Sequence, residues 1–105
     1  MPENLLKVLI VEDDKALRES LVDYLQDMEF EVLAAENGQE AIQILQEEHP
    51  DLLLTDLRMP VLDGHEVLRF AGEVLPELPL IVISGTGYIQ DVVRALKLGA
   101  WDYIL

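Results

Sequence analysis

The chain has 105 residues, with 21 Asp and Glu against 7 Lys and Arg, a formal net charge of -14 and no cysteine. That length fits one domain, and a domain of this size buries roughly 65% of its unfolded surface, enough for a single core without covalent staples. The charge repels phosphate backbones and anionic membranes, so neither is an expected partner, and the missing thiols exclude disulfides and thiolate metal sites.

The opening Met1-Pro2-Glu3-Asn4 carries no basic n-region and no apolar stretch reaches bilayer length, so the expected location is cytoplasmic. Lys7 to Val11 is an apolar run of strand length, and Glu12, Asp13 and Asp14 follow it directly. Leu17, Leu21, Tyr24, Leu25 and Met28 then recur at helical spacing, with Asp14 as the cap of that helix. Phe30 to Ala35 is a second strand. Asn37 with Glu40 three residues on reads as a capping box for a helix whose apolar face holds Ala41, Ile44 and Leu45.

Leu52 to Thr55 is a third strand, running into Asp56 and then Leu57-Arg58-Met59-Pro60, which stops regular structure. Val67, Leu68, Ala71 and Leu75 mark a third helix, and Leu80 to Ile83 a fourth strand leading to Ser84-Gly85-Thr86-Gly87. Val92, Ala95 and Leu96 mark a fourth helix stopped by Gly99, and Trp101 to Leu105 is a fifth strand. Pro50, Pro60, Pro76 and Pro79 all fall between elements.

Buried strands alternating with amphipathic helices imply an α/β fold, a doubly wound five-stranded parallel sheet with helices on both faces, because parallel neighbours need right-handed crossovers. In such sheets ligands gather at the carboxyl ends of the strands. The first strand delivers Glu12, Asp13 and Asp14 there, the third Thr55 and Asp56, the fourth Ser84.

A carboxylate at the end of a buried strand is costly unless something meets it, and several in one crevice raise one another's pKa unless a cation neutralises them. An all-oxygen set suits Mg²⁺; His49 and His65 lack partners at metal spacing, which argues against zinc. A carboxylate beside such an ion can attack phosphorus to give an acyl phosphate, and Ser84, followed by glycine, is placed to offer a hydroxyl to the phosphate.

Val11-Glu12-Asp13-Asp14, the segment from Asp51 to Asp63-Gly64 around Asp56-Leu57-Arg58-Met59-Pro60, Ser84-Gly85, and Gly99-Ala100-Trp101-Asp102-Tyr103 together resemble the receiver domain of two-component response regulators. The motifs cover nearly the whole chain in the family's order and spacing. The resemblance implies a flavodoxin-like strand order of 2-1-3-4-5. It implies that Asp56 is the phosphoacceptor, served by a histidine kinase or phosphotransfer protein, and that Glu12, Asp13, Asp56 and the backbone carbonyl of Arg58 hold Mg²⁺. Ser84 matches the residue that hydrogen-bonds the phosphate.

Tyr103 matches the switch aromatic, with a static core aromatic as the other reading. The implied output is a change in the surface of the fourth helix and fifth strand, including Tyr88, Asp91, Lys97 and Trp101, which would bind an output domain, a second receiver or a second copy in a homodimer. The implied function is a phosphorylation-dependent signalling switch, not an enzyme beyond its own aspartyl phosphorylation and dephosphorylation.

The family's lysine, three residues beyond the switch aromatic, would fall one residue past Leu105, and Lys97 cannot replace it by position. Residues 1–105 are therefore expected to be a receiver domain truncated before that lysine and the fifth helix, leaving apolar surface on the first helix. The rival is an aspartyl-phosphate phosphatase or phosphotransferase of haloacid-dehalogenase type, but those enzymes need an acid two residues after the nucleophile, where this chain has Arg58. A flavin carrier of similar topology needs a Ser/Thr-rich phosphate loop after the first strand, where this chain has acids.

Overall fold

A computed structural model describes residues 5–56, 64–83 and 102–104, the stretches 64–65 and 102–104 by their backbone alone. In chain order the elements are β1 (Lys7–Val11), α1 (Lys15–Asp27), β2 (Glu31–Ala35), α2 (Gly38–Glu48), β3 (Leu52–Thr55), α3 (Gly64–Val74), β4 (Leu80–Ile83) and β5 (Asp102–Ile104). All four strand pairings are parallel, in the order β2-β1-β3-β4-β5. The fold is the doubly wound α/β architecture the sequence implies. The fourth helical segment lies outside the described residues.

The strand order fixes where each helix goes. From β1 the chain steps outward to β2 and later returns to β3 on the other side, so right-handed crossovers place α1 on one face and α2 and α3 on the other. Strand alternation agrees. Leu9, Val11, Ala35, Leu53, Leu80 and Val82 project to one face and form a single cluster with Ala41 and Leu45 of α2 and Val67, Leu68 and Ala71 of α3. Val8 and Ile10 point the other way and are also fully buried, whereas Leu52, Leu54, Ile81 and Ile83 on that second face are half-buried.

Local signals set the helix ends. Asp14 adopts an extended backbone and its carboxylate accepts from the Leu17 N–H at 3.2 Å, the expected N-cap of α1. Asn37 does the same for α2, accepting from the Glu40 N–H at 2.8 Å. The C-terminus of α1 closes with two bonds, Phe30 N–H to the Leu25 carbonyl and Glu29 N–H to the Gln26 carbonyl, each 3.0 Å, around Glu29 at φ 68°. This is a Schellman closure with a non-glycine residue in the left-handed position. It takes Phe30 out of the strand, so β2 starts at Glu31 and not at Phe30.

The apolar face of α1 also differs from the expected one. Arg18, Leu21, Val22 and Leu25 form the half-buried stripe, while Leu17, Tyr24 and Met28 are 44%, 64% and 58% exposed. Both stripes have helical spacing and share Leu21 and Leu25, and periodicity alone does not say which one meets the sheet.

Candidate functional site

The two strands that flank the reversal of strand order are β1 and β3, and the crevice at their carboxyl ends is where an open α/β sheet binds ligands. Val11 and Thr55 are partners in the register. The residues that follow them, Glu12 and Asp56, therefore leave the sheet side by side. Asp56 N–H donates to the Val11 carbonyl at 2.9 Å and Glu12 N–H donates to the Ala35 carbonyl at 3.0 Å, so ladder bonding carries on one residue past each strand end. Both backbones are held by the sheet, not by a loop.

Glu12, Asp13 and Asp56 each present a carboxylate oxygen, and the three lie within 4.8 Å of one another. Glu12 is buried, Asp56 half-buried and Asp13 exposed. Burial pushes the Glu12 carboxyl up to about 7 against its ordinary 4.5, helped by the charges of Asp56 and Asp13 and a hydrogen bond with Asp13, and opposed by the bond its Oε2 accepts from the Asp14 N–H at 3.0 Å.

Three crowded carboxyls, one of them pushed up toward neutrality by burial and by its two acidic neighbours, fit a hard divalent cation taking oxygen ligands. Mg²⁺ matches that donor set, since it uses few protein oxygens and keeps its waters.

Thr55 is buried and its Oγ1 donates to the Asp56 carbonyl at 2.8 Å, holding the peptide that carries the central carboxylate. Arg18 of α1 donates from Nη1 to the Glu12 carbonyl at 2.9 Å and to the Asp13 carbonyl at 3.4 Å. Sequence reading passed over Arg18. The available signal was a cation in the opening turns of a helix, against the helix dipole, just after three acids.

Of the residues read as functional, Glu12, Asp13 and Asp56 come together. Tyr103 is placed by its backbone, as the register partner of Val82 between β4 and β5. Ser84 and Arg58 lie outside the described residues, as do Thr86, Tyr88, Asp91, Lys97 and Trp101. Asp14 caps α1. His49 is exposed at the end of α2 in the left-handed region, consistent with a loop residue, and His65 falls in the first turn of α3. A cleft of about 460 Å³ lies at the opposite, amino-terminal edge of β3 and β4, between His49, Asp51, Leu75 and Glu77, remote from the three carboxylates. No described helix is long and apolar enough to cross a membrane.

Residues 8–105 match the family model of the response regulator receiver domain, and the chain belongs to that family. The response regulator protein FleR of Pseudomonas aeruginosa is 37% identical over 99 residues, which is 94% of this chain and 21% of that protein. The chain spans less than half the length of the curated relatives it matches, 21% of FleR and 44% of a probable transcriptional regulator ycf27 of Cyanophora paradoxa, which is 36% identical over all 105 residues.

Among solved structures, a CheY-like receiver domain protein from Methanospirillum hungatei superposes with a TM-score of 0.93 at 31% identity, covering 96% of this chain and 81% of that one. Response regulator TrrA from Thermotoga maritima, solved in complex with Mg²⁺ and BeF, superposes at 0.88 with 26% identity over 96% of this chain and 86% of that one. Acceptance of a phosphoryl group is general to receiver domains of two-component systems.

Proposed function

We propose that Asp56 is the phosphoacceptor of a Mg²⁺-dependent signalling switch, phosphorylated by a histidine kinase or a phosphotransfer protein. The observation that supports this most directly is the convergence of the Glu12, Asp13 and Asp56 carboxylates at the point where the strand order reverses. Glu12, Asp13 and Asp56, with the Arg58 carbonyl, would hold the ion. When bound it neutralises carboxylate and phosphate charge and so lets an anionic phosphoryl group approach.

An Asp56 carboxylate oxygen attacks phosphorus, the P–N bond of the donor phosphohistidine breaks, and the released imidazole nitrogen takes up a proton. The product is an acyl phosphate. The sheet-bound backbones of Glu12 and Asp56 keep their carboxylates positioned, which is most of what phosphoryl transfer asks of a protein.

Ser84 would donate its hydroxyl to a phosphate oxygen, and Tyr103 would follow it inward. The surface of the fourth helix and fifth strand then shifts its population toward a form that binds an output domain, a second receiver or a second copy of the chain. On this reading the domain acts in the cytoplasm and turns over no separate substrate.

Incubation with Mg²⁺ and acetyl phosphate, followed by intact mass, tests the assignment. Wild type gains one phosphoryl group and Asp56→Asn gains none. A full-length protein that takes up no phosphoryl group, or an Asp56→Asn variant that still does, overturns it. Equal molecular mass with and without a phosphate analogue argues against phosphorylation-dependent dimerisation.

A further inference from the structure

The amino-terminal end of α1 carries two cations, Lys15 and Arg18, and no acid in its first turn, the reverse of what the helix dipole favours. The two are not alike. Lys15 lies 4.0 Å from Glu19 with both side chains mostly in solvent, at 78% and 63% exposure, an arrangement that contributes little. Arg18 is half-buried and stands at the head of the stripe Arg18, Leu21, Val22 and Leu25 that faces the sheet.

From there its Nη1 donates to the Glu12 carbonyl at 2.9 Å and, more weakly, to the Asp13 carbonyl at 3.4 Å, while its backbone N–H donates to the Asp14 carbonyl at 2.8 Å. One residue of α1 is thus tied to the three consecutive acids that lead from the end of β1 into the helix. A guanidinium bond to a carbonyl is charge-assisted and stronger than a neutral one.

We propose that Arg18 is a positioning residue, whose guanidinium fixes the peptide units of Glu12 and Asp13 and so holds their carboxylates in the arrangement that takes a divalent cation. This rests on the reading of the carboxylate trio as a Mg²⁺ site. Two effects of Arg18 on that site have opposite signs. As a nearby positive charge it repels the ion and weakens binding; as a tether it spares the loop the entropy of ordering on binding and strengthens it. The tether dominates, because the bonds are direct while the charge is partly solvated.

The test uses Arg18→Met, which keeps the apolar stem but removes charge and donors, and Arg18→Lys, which keeps a charge without the fork. In metal-free full-length protein, amide hydrogen exchange at Asp13 and Asp14 is expected to quicken in Arg18→Met while exchange in β1 and β3 stays slow. Calorimetric titration with Mg²⁺ is expected to show binding about three- to tenfold weaker in Arg18→Met, because relief of the charge repulsion offsets part of the lost charge-assisted bond, with Arg18→Lys between the two.

Asn37→Ala, which weakens the remote cap of α2, separates positioning from general loss of stability and should leave both readouts unchanged. Mg²⁺ binding in Arg18→Met as tight as wild type or tighter overturns the proposal, as does equal weakening in Asn37→Ala. If wild type binds no Mg²⁺, the metal reading of the site fails. The exchange measurement, made without metal, still decides the tether, and unchanged exchange at Asp13 and Asp14 overturns it.

Discussion

The Asp56 N–H donates to the Val11 carbonyl at 2.9 Å, one step beyond the last register pair of β1 and β3. That bond links the strand carrying the central carboxylate to the strand whose next two residues are the other acids. It explains how a carboxylate can stand at the end of an apolar run. The cost of placing Asp56 there is increased by Glu12 and Asp13 beside it, and one cation can relieve all three at once.

Cation binding should therefore stabilise the folded state by mass action. At a Mg²⁺ concentration of about ten times Kd the gain is about 1.4 kcal/mol, which for a domain of this length raises Tm by about 5–10 °C. Scanning calorimetry with and without Mg²⁺ checks this. Asp13→Asn should lose most of the increment, because it removes a charged ligand oxygen from the exposed side of the site. An equal rise in Asp13→Asn would show that the ion acts elsewhere.

The Glu12 carboxyl, at about 7 when folded against an ordinary 4.5, gives the metal-free domain a pH dependence of known sign. Between those values the folded state holds a proton that the unfolded state has released, so stability falls as pH rises. The contribution is fully present below 4.5 and lost as pH passes through about 7. Urea midpoints in EDTA should fall more steeply from pH 5 to 8 in wild type than in Glu12→Gln. Parallel curves would mean that Glu12 ionises normally. The same proton competes with the cation, so Mg²⁺ should bind wild type more tightly at pH 8 than at pH 6.

Much of this was legible in the sequence, because strand-length apolar runs ending in acids carry both the fold and the site. Lys7–Val11, Leu52–Thr55 and Leu80–Ile83 form as read, and the caps Asp14 and Asn37 make the expected bonds. What was not legible depends on tertiary choices. Phe30 is apolar and adjoins a strand, yet the closure around Glu29 claims its N–H for Leu25. On α1, two overlapping stripes compete for the sheet, and the one that wins begins with the cation Arg18. The role of Arg18 is only faintly written in the sequence, because its partners are backbone carbonyls and a cation near a helix start after three acids is a weak signal.

Glu29 carries a removable local cost. Its φ of 68° places a Cβ against the carbonyl of a left-handed residue, a penalty of roughly 1–2 kcal/mol that glycine avoids, partly offset by the ~0.4–1 kcal/mol of extra unfolded-chain entropy glycine brings. Glu29→Gly should therefore raise unfolding stability by about 0.5 kcal/mol, measured by urea denaturation, with Mg²⁺ affinity unchanged. A loss of stability would mean that the Glu29 side chain contributes more than its backbone costs.

Leu53 and Leu54 are sequence neighbours on β3 with opposite surroundings, which turns the asymmetry of the sheet into a measurement. Leu53 is fully buried in the cluster closed by α2 and α3, whereas Leu54 lies half-buried on the face of α1. Truncating Leu53 removes transfer energy and leaves a cavity among packed neighbours, so Leu53→Ala should cost about 2–5 kcal/mol. Leu54→Ala gives up part of that area and water can reach the gap, so its cost should be about 1–2 kcal/mol. Strand propensity changes equally in both, so the difference in urea-unfolding free energy reports burial alone. Equal costs would mean that the α1 face is packed as tightly as the α2–α3 face.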